Sequence, residues 1–348
     1  EIIGSSAWAA AYLTRHPILL DEVLDPRLYE IATDWSGFSA ELERRLAEED
    51  GDPEREMDVM REAHHAQVFR LLAQDIAGLQ TVERLADHLT ALADIIVGKT
   101  LEICWSRLKT RHPLPERAPR FAVIAYGKLG GKELGYGSDL DLVFLHDDPE
   151  PHVGELYARL AQRLSTWLST QTAAGNLFET DSRLRPNGDA GMLVNSLDAF
   201  RDYQLTRAWM WEHQALTRAR FCAGDAELGA RFEALRVEIL RQPRDLAKLR
   251  EDVLTMRQRM LDAHATHRED IFDLKHDPGG LIDVEFIVQY LILGHAHAHA
   301  RLCGNLGNIA LLGIAAELGL IPGALAEPVR IAYREYRRLQ HDLRLNGI

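Results

Sequence analysis

Asp139 and Asp141 stand two residues apart in FAVIAYGKLGGKELGYGSDLDLVFLH, residues 121–146. The segment reads as a strand, a glycine-rich loop with a short polar turn, and a second strand. Side chains two apart on a strand share a face. The two carboxylates therefore project together, while Leu140, Leu142 and Phe144 point the other way into a core. Like charges this close repel unless a cation lies between them, and hard carboxylate oxygens suit Mg²⁺. Gly130 and Gly131 lie just upstream, where free backbone N–H groups would cradle phosphates. A metal-binding pair beside a phosphate cradle points to chemistry on a nucleoside triphosphate. From this stretch alone, a tight turn before a buried strand whose acids cap a loop stays open.

A third carboxylate lies downstream. Residues 176–186, NLFETDSRLRP, read as another strand. Glu179, Asp181, Arg183 and Arg185 would alternate onto one face, with Phe178, Thr180 and Leu184 mostly on the other. That face sets acids beside two guanidinium groups, which grip phosphate bidentately. Two metal-binding acids, a third acid on a neighbouring strand and two arginines form an apparatus for in-line attack on a nucleotide phosphate. The competing reading of the arginines is a surface ion-pair ladder with Glu179 and Asp181.

Leu129-Gly130-Gly131, seven residues, then Asp139-Leu140-Asp141-Leu142 resembles the signature of the nucleotidyltransferase superfamily. Four longer stretches make the resemblance closer: YGKLGGKELGYGSDLDLVFLHD (126–147), FETDSRLRPNGDAGMLVNSLDAF (178–200), AWMWEHQALTRARFCAGD (208–225) and LKHDPGGLIDVEFIVQYL (274–291). In this order they resemble the glutamine synthetase adenylyltransferase family, and the resemblance covers nearly the whole chain. It implies an α+β fold: a DNA polymerase β-like core with a small mixed sheet, flanked by helical parts. It implies Mg²⁺ held by Asp139, Asp141 and Asp181, and ATP phosphates against Gly130, Gly131, Ser138, Lys128, Arg183 and Arg185. The family has two homologous halves. Tyr126 before GKLGG, the YGSDLDLVFLHD ending and AWMWEHQALTRAR look like the C-terminal, adenylylating half, which attaches AMP to a tyrosine of glutamine synthetase. The phosphorolytic, deadenylylating half and a PII-type uridylyltransferase are the rival readings. The implied partners are glutamine synthetase and the nitrogen-regulatory PII protein.

Composition sets limits. A chain of 348 residues can hold two or three substructures with substantial cores. A net charge of −13 argues against broad nucleic-acid binding. No apolar run approaches the ~20 residues of a membrane span, and no signal peptide is recognised. Cys104, Cys222 and Cys303 are scattered and odd in number, which suits a reducing cytoplasm rather than a disulfide framework.

Three parts are expected. Residues 1–115 read as helical, with apolar residues at three- and four-residue spacing over 63–74 and 82–108. His112-Pro113-Leu114-Pro115 breaks helix and marks a boundary. Residues 116–225 hold the strands and the site. Residues 226–348 return to helix, including 281–293 after Asp277-Pro278-Gly279-Gly280. Ending directly after a helical run, the chain is read as a domain excised from a longer polypeptide.

Several other patterns carry less. Val97-Gly98-Lys99-Thr100 ends like a P-loop, but Ala93 occupies the first glycine position and no strand precedes it. His295 and His299 would share a helix face, yet no acid or cysteine cluster accompanies them. Trp209 and Trp211 could stack on adenine, but such spacing reads first as core. Glu212, His213, Arg218 and Arg220 either flank the nucleotide or brace the sheet. Asp283 either complements a helix dipole or, with Lys275 and Glu285, closes over the triphosphate.

Overall fold

The computed structural model describes residues 6–30, 33–49, 51–109, 118–150, 153–264 and 271–346. The His112–Pro115 helix break, and with it the first expected boundary, lies outside the described residues. Helices α1 (Ala7–Arg15), α2 (Leu20–Val23), α3 (Trp35–Glu48), α4 (Pro53–Ile76) and α5 (Val82–Lys109) come first. Strands β1 (Phe121–Ala125), β2 (Leu140–His146), β3 (Thr180–Asp181), β4 (Val194–Ser196) and β5 (Arg220–Gly224) follow. Between them lie α6 (Gly127–Gly130), α7 (Val153–Ser169), α8 (Leu197–Thr206) and α9 (Met210–Leu216). The chain continues through α10 (Ala226–Leu240), α11 (Leu246–His264), α12 (Leu281–His295), α13 (Asn308–Glu317) and α14 (Gly323–Leu345). The fold is α+β, a small mixed sheet flanked by helices.

Local sequence explains the helix ends. The Asp52 carboxylate accepts from Glu54 N at 2.9 Å, and Pro53 occupies the first helical position, so α4 starts there. Val97–Thr100 sits inside α5. Thr100 Oγ1 donates to Ile96 O at 2.8 Å and Lys99 pairs with Glu43 and Glu102, leaving no phosphate loop.

The sheet is covered on both faces. β1 runs antiparallel to β2 and β5, and β2 runs parallel to β3 at its start and β4 at its end. Phe121, Val123, Leu140, Leu142 and Phe144 enter one core with α4, α5 and α7. Ala122, Ile124, Val143 and Leu145 enter a second core with α8, α10 and α12. The sequence alternation marks the Leu140 face as core and leaves the Asp139–Asp141 face for chemistry. Val143 and Leu145 continue that second face into core, so only its beginning is available to a ligand. Each such side chain, fully buried, contributes about 1.5–3 kcal/mol.

Arg61 ties this framework to the third acid. Its guanidinium, fully buried on α4, donates to Gly175 O at 2.8 Å, Trp167 O at 2.9 Å and Thr170 O at 2.5 Å. The turn that leads into β3 is thereby fastened to α4. His64 and His65 lie beside it. His65 stacks on His16 with ring centroids 3.9 Å apart, and its Nδ1 shares a 2.5 Å hydrogen bond with the Tyr12 hydroxyl.

These imidazoles make the fold acid-sensitive. Burial, reinforced by neighbouring positive groups, pushes His64 down to about 3 and His65 down to about 2. In the unfolded chain both titrate near ~6.5. Below that pH the unfolded state binds protons that the native state does not, so stability falls with pH. Each histidine should remove about 2 kcal/mol between pH 7 and 5. The double variant His64→Gln, His65→Gln should therefore lose about 4 kcal/mol less than the parent over that interval in urea unfolding. The comparison cancels other titrating groups. Equal losses would mean that the folded protein protonates both rings.

Candidate functional site

The β2–β3 register assembles the acids. Leu140 pairs with Thr180 and Asp141 with Asp181. Leu140 N donates to Glu179 O at 2.9 Å, and Tyr126 N donates to Asp141 O at 2.9 Å. Asp139 is exposed, whereas Asp141 and Asp181 are half-buried. Burial, then the charges of Asp139 and Asp181, push the Asp141 carboxyl up to about 6, with Arg218 and Lys128 offsetting part of that. Half-buried Lys128 is depressed by burial and by Lys275 and Arg337, and supported by Asp139 and Glu285.

Gly127 decides how closely the backbone meets the acids. Its φ is +55°, and a Cβ there would lie 2.0 Å from Asp141 Oδ2. A side chain would fill the space in front of the carboxylate. Gly130 and Gly131 differ from the expected cradle. The segment is a helical turn, so Gly130 N donates to Tyr126 O at 2.8 Å and Gly131 N to Gly127 O at 3.0 Å. Their N–H groups are used within the turn rather than presented to phosphate. A Cβ on Gly130 would meet Arg218 O at 2.0 Å and Ala125 O at 2.6 Å. Glycine is required there by main-chain crossing.

The loop before Asp139 is held from two sides. The Tyr136 hydroxyl donates to Asp75 at 3.1 Å, and Arg344 Nη2 donates to Gly137 O at 2.8 Å. Ser138 Oγ accepts from Gly135 N at 3.2 Å, which leaves its hydroxyl proton available to an acceptor.

The expected four-residue alternation after Phe178 is not found. β3 is two residues long. The chain then turns, with Asn187 at φ +61° and Gly188 at φ +55°. Arg183, with 72% of its side chain exposed, folds back onto Asp181, its Nε lying 2.8 Å from Oδ2. This pair holds the Asp181 carboxyl below the usual carboxylate range. Arg185 does not join it. Its guanidinium donates to Ser182 O at 2.8 Å and lies 3.4 Å from Asp189, bracing the turn. The chain leaves the strand at Ser182 and turns from Arg183 onward, so strand parity no longer governs these side chains.

The other candidates separate cleanly. Glu212 is buried and accepts from Trp209 N at 2.9 Å and the Tyr203 hydroxyl at 3.1 Å. His213 Nε2 bonds Gln204 O at 2.9 Å, so both residues brace α9. Trp209 and Trp211 are not core; they are 70% and 37% exposed. Arg220 pairs with Asp94 at 2.7 Å. Asp283 pairs with Arg257 and accepts from Gly279 N at 2.5 Å. Lys275 is exposed. α12 ends at His295, so His299 does not share its face.

Sequence reasoning passed over Glu133, a buried acid beside the glycine turn. Arg218 pairs with it at 2.9 Å, and the Tyr333 hydroxyl, 200 positions away, donates to it at 2.9 Å. One acid in KELGYG carries no local signal for partners that distant.

The donor set fits a hard divalent cation. Asp139 and Asp141 present carboxylate oxygens on one face, and the repulsion that raises Asp141 is the kind a cation relieves. As they stand, no three His, Cys, Asp or Glu side chains among the described residues are gathered to close on one ion. Asp181 is turned to Arg183.

Residues 1–235 match the family described as Glutamate-ammonia ligase adenylyltransferase. Residues 247–347 match GlnD PII-uridylyltransferase. A protein of Aromatoleum aromaticum named bifunctional glutamine synthetase adenylyltransferase/adenylyl-removing enzyme is 64% identical over 348 residues, covering 100% of this chain and 37% of that protein. Proteins of the same name from Chromobacterium violaceum and Nitrosomonas europaea are 58% and 54% identical, covering 99% and 100% of this chain and 38% and 37% of theirs. The chain thus spans little more than a third of the length of these relatives. Among the described residues no helix is long and apolar enough to cross a membrane.

Proposed function

The chain belongs to the glutamate-ammonia ligase adenylyltransferase family, and from that membership we propose that it transfers AMP from ATP to a tyrosine of glutamine synthetase. It would correspond to the C-terminal, adenylylating half, acting in the bacterial cytoplasm under the nitrogen-regulatory PII protein. The observation that carries the reading is the register that sets Asp181 opposite Asp141, with Asp139 and Lys128 alongside.

Asp139 and Asp141 would hold Mg²⁺, which when bound supplies charge neutralisation at the triphosphate and at the attacking oxygen. Ser138 Oγ would donate its proton to a phosphate oxygen. Lys128, close to Asp139, would balance charge on the departing pyrophosphate. A free phenol is ionised to about one part in a thousand at pH 7. Asp181 would take its proton once Arg183, now bonded to it, turns to the nucleotide. Arg183 is then free to meet the triphosphate. The phenol oxygen bonds to the α-phosphorus as the bond to the β-phosphate oxygen breaks; the proton goes to Asp181 and pyrophosphate leaves.

Incubation with α-labelled ATP and glutamine synthetase tests the reading, with labelled UTP as the competing donor. Label from ATP should appear on a tyrosine. Asp181→Asn should still bind MgATP through Asp139 and Asp141 in calorimetry, yet transfer at least about a hundred-fold more slowly, the usual size of a general-base contribution. Unchanged transfer would place Asp181 outside the chemistry. Adenylyl removal is the second reading, favoured by the two activities in the relatives' name. Formation of ADP from adenylylated glutamine synthetase and phosphate, with no forward transfer, would establish it instead.

A further inference from the structure

Glu133 is buried, with 6% of its surface exposed. Its carboxylate nevertheless stays charged: burial pushes it up, but Arg218 and Arg337 outweigh that and hold it below the usual range. Its partners come from three separate parts of the chain. Arg218, just before β5, lies 2.9 Å from Oε2. Asn308, the first residue of α13, donates through its backbone N to Oε1 and through Nδ2 to Oε2, both at 3.0 Å. On α14, the Tyr333 hydroxyl donates to Oε2 at 2.9 Å and Arg337 Nη2 donates to the Glu133 carbonyl at 3.0 Å. Glu285, on α12, lies 3.3 Å from Arg218 Nη1.

The cluster reaches the site through the glycine turn, where Glu133 N donates to Lys128 O at 2.8 Å. Arg218 Nε donates to Gly127 O at 3.1 Å. Gly127 is the residue packed so closely on Asp141 that a Cβ would come within 2.0 Å of the carboxylate. A continuous set of contacts therefore runs from α13 and α14 through Glu133 and Arg218 to the Gly127 turn and Asp141. Glu133, Arg218 and Arg337 are nearly closed off from water, and buried ion pairs are poor stabilisers; well-packed apolar side chains of similar volume often do as well or better. What charged groups add is a defined geometry, because each partner is held in one position by several others.

We propose that Glu133 is a positioning residue, through which the C-terminal helices set the Gly127 turn and hold Asp141 where it can ligate a divalent cation. The proposal rests on the reading of Asp139 and Asp141 as cation ligands. It makes the segment from α12 to α14 part of the site. A partner that shifts α14 would change catalysis through Tyr333, Arg337 and Glu133.

The test uses Glu133→Gln and Tyr333→Phe in the full chain. Tyr333 lies on α14, and its variant removes a single hydroxyl. Mn²⁺ binding is measured by electron paramagnetic resonance without nucleotide or acceptor; kcat, the KM for ATP and the melting temperature are measured alongside. Loss of a group that orients a ligand weakens metal affinity or activity by about 10–100-fold. Both variants should bind Mn²⁺ at least about ten-fold more weakly. Their kcat should fall by a similar factor, with the KM for ATP changed less than about two-fold. A lower melting temperature with Mn²⁺ affinity and kcat unchanged per folded molecule would overturn the proposal and leave Glu133 a structural acid. Should Glu133→Gln fail to fold, Tyr333→Phe decides alone. If the parent chain binds Mn²⁺ but labels no glutamine synthetase, the proposed function fails while the variants' Mn²⁺ affinities still decide the positioning role. If the parent binds no Mn²⁺, the cation-ligand reading and the proposal fall together.

Discussion

Asp141→Asn is expected to stop AMP transfer and to make the folded chain more stable. Transfer should fall at least about a thousand-fold, equivalent to about 4 kcal/mol of barrier, because an amide cannot supply the anionic oxygen that a hard cation needs. The stability gain has a different origin. Burial and the charges of Asp139 and Asp181 raise the Asp141 carboxyl from 3.8 to about 6. For an acid raised in the folded state, the ionised form costs stability at any pH above the folded value. That cost shrinks as pH falls and is gone below the unfolded value. A shift of about two units corresponds to about 3 kcal/mol. The variant should thus melt several degrees higher than the parent at pH 8, and the difference should close towards pH 4. Mg²⁺ should raise the melting temperature of the parent and leave that of the variant unchanged. Asp139→Asn should lose activity to a similar degree with a smaller rise in melting temperature, because Asp139 is itself exposed and its charge accounts for only part of the Asp141 penalty. Near-normal turnover in either variant would remove the acid pair from the chemistry. A destabilised Asp141→Asn would show that its charge is compensated in the apo protein.

Gly130→Ala is expected to prevent folding rather than to weaken ATP binding. The new Cβ would sit 2.0 Å from Arg218 O and 2.6 Å from Ala125 O. Both are main-chain atoms, at the end of β1 and just before β5, two strands that pair with each other at one edge of the sheet. Neither can move without disturbing that pairing, so the loss should exceed about 3 kcal/mol, the upper part of the overpacking range. Gly131→Ala is the control. Its Cβ would meet the Arg218 guanidinium at 2.9 Å, a side-chain contact that can give. It should fold, with Arg218 displaced and turnover reduced. Soluble yield, circular dichroism and thermal melting distinguish the two. A Gly130→Ala protein with a normal melting temperature and a raised ATP requirement would restore the phosphate-cradle reading.

Much of the site is legible because its central piece is local. Asp139 and Asp141 share a face by strand parity, a property of consecutive residues. Asp181 is placed correctly on a neighbouring strand because NLFETD retains β pattern up to that residue. The same parity fails for Arg183 and Arg185, since the backbone leaves the strand after Asp181 and Asn187 and Gly188 turn it back. Gly130 and Gly131 mislead for a related reason. A glycine pair marks a special backbone position, but whether that means a phosphate or a crossing strand depends on what packs against it. Trp209 and Trp211 read as core from type and spacing, yet their turn projects them outward.

The sequence by itself determined the α+β class, the helical flanks, the acid pair and the family, because periodicity and ordered motifs are written in neighbouring residues. Tertiary structure alone decided that both sheet faces are core and that Asp141 is strained by its neighbours. It also decided that Glu133 joins the acid site to α13 and α14. Those properties arise from residues up to 204 positions apart, whose contact energy exists only after the chain has closed the loops between them.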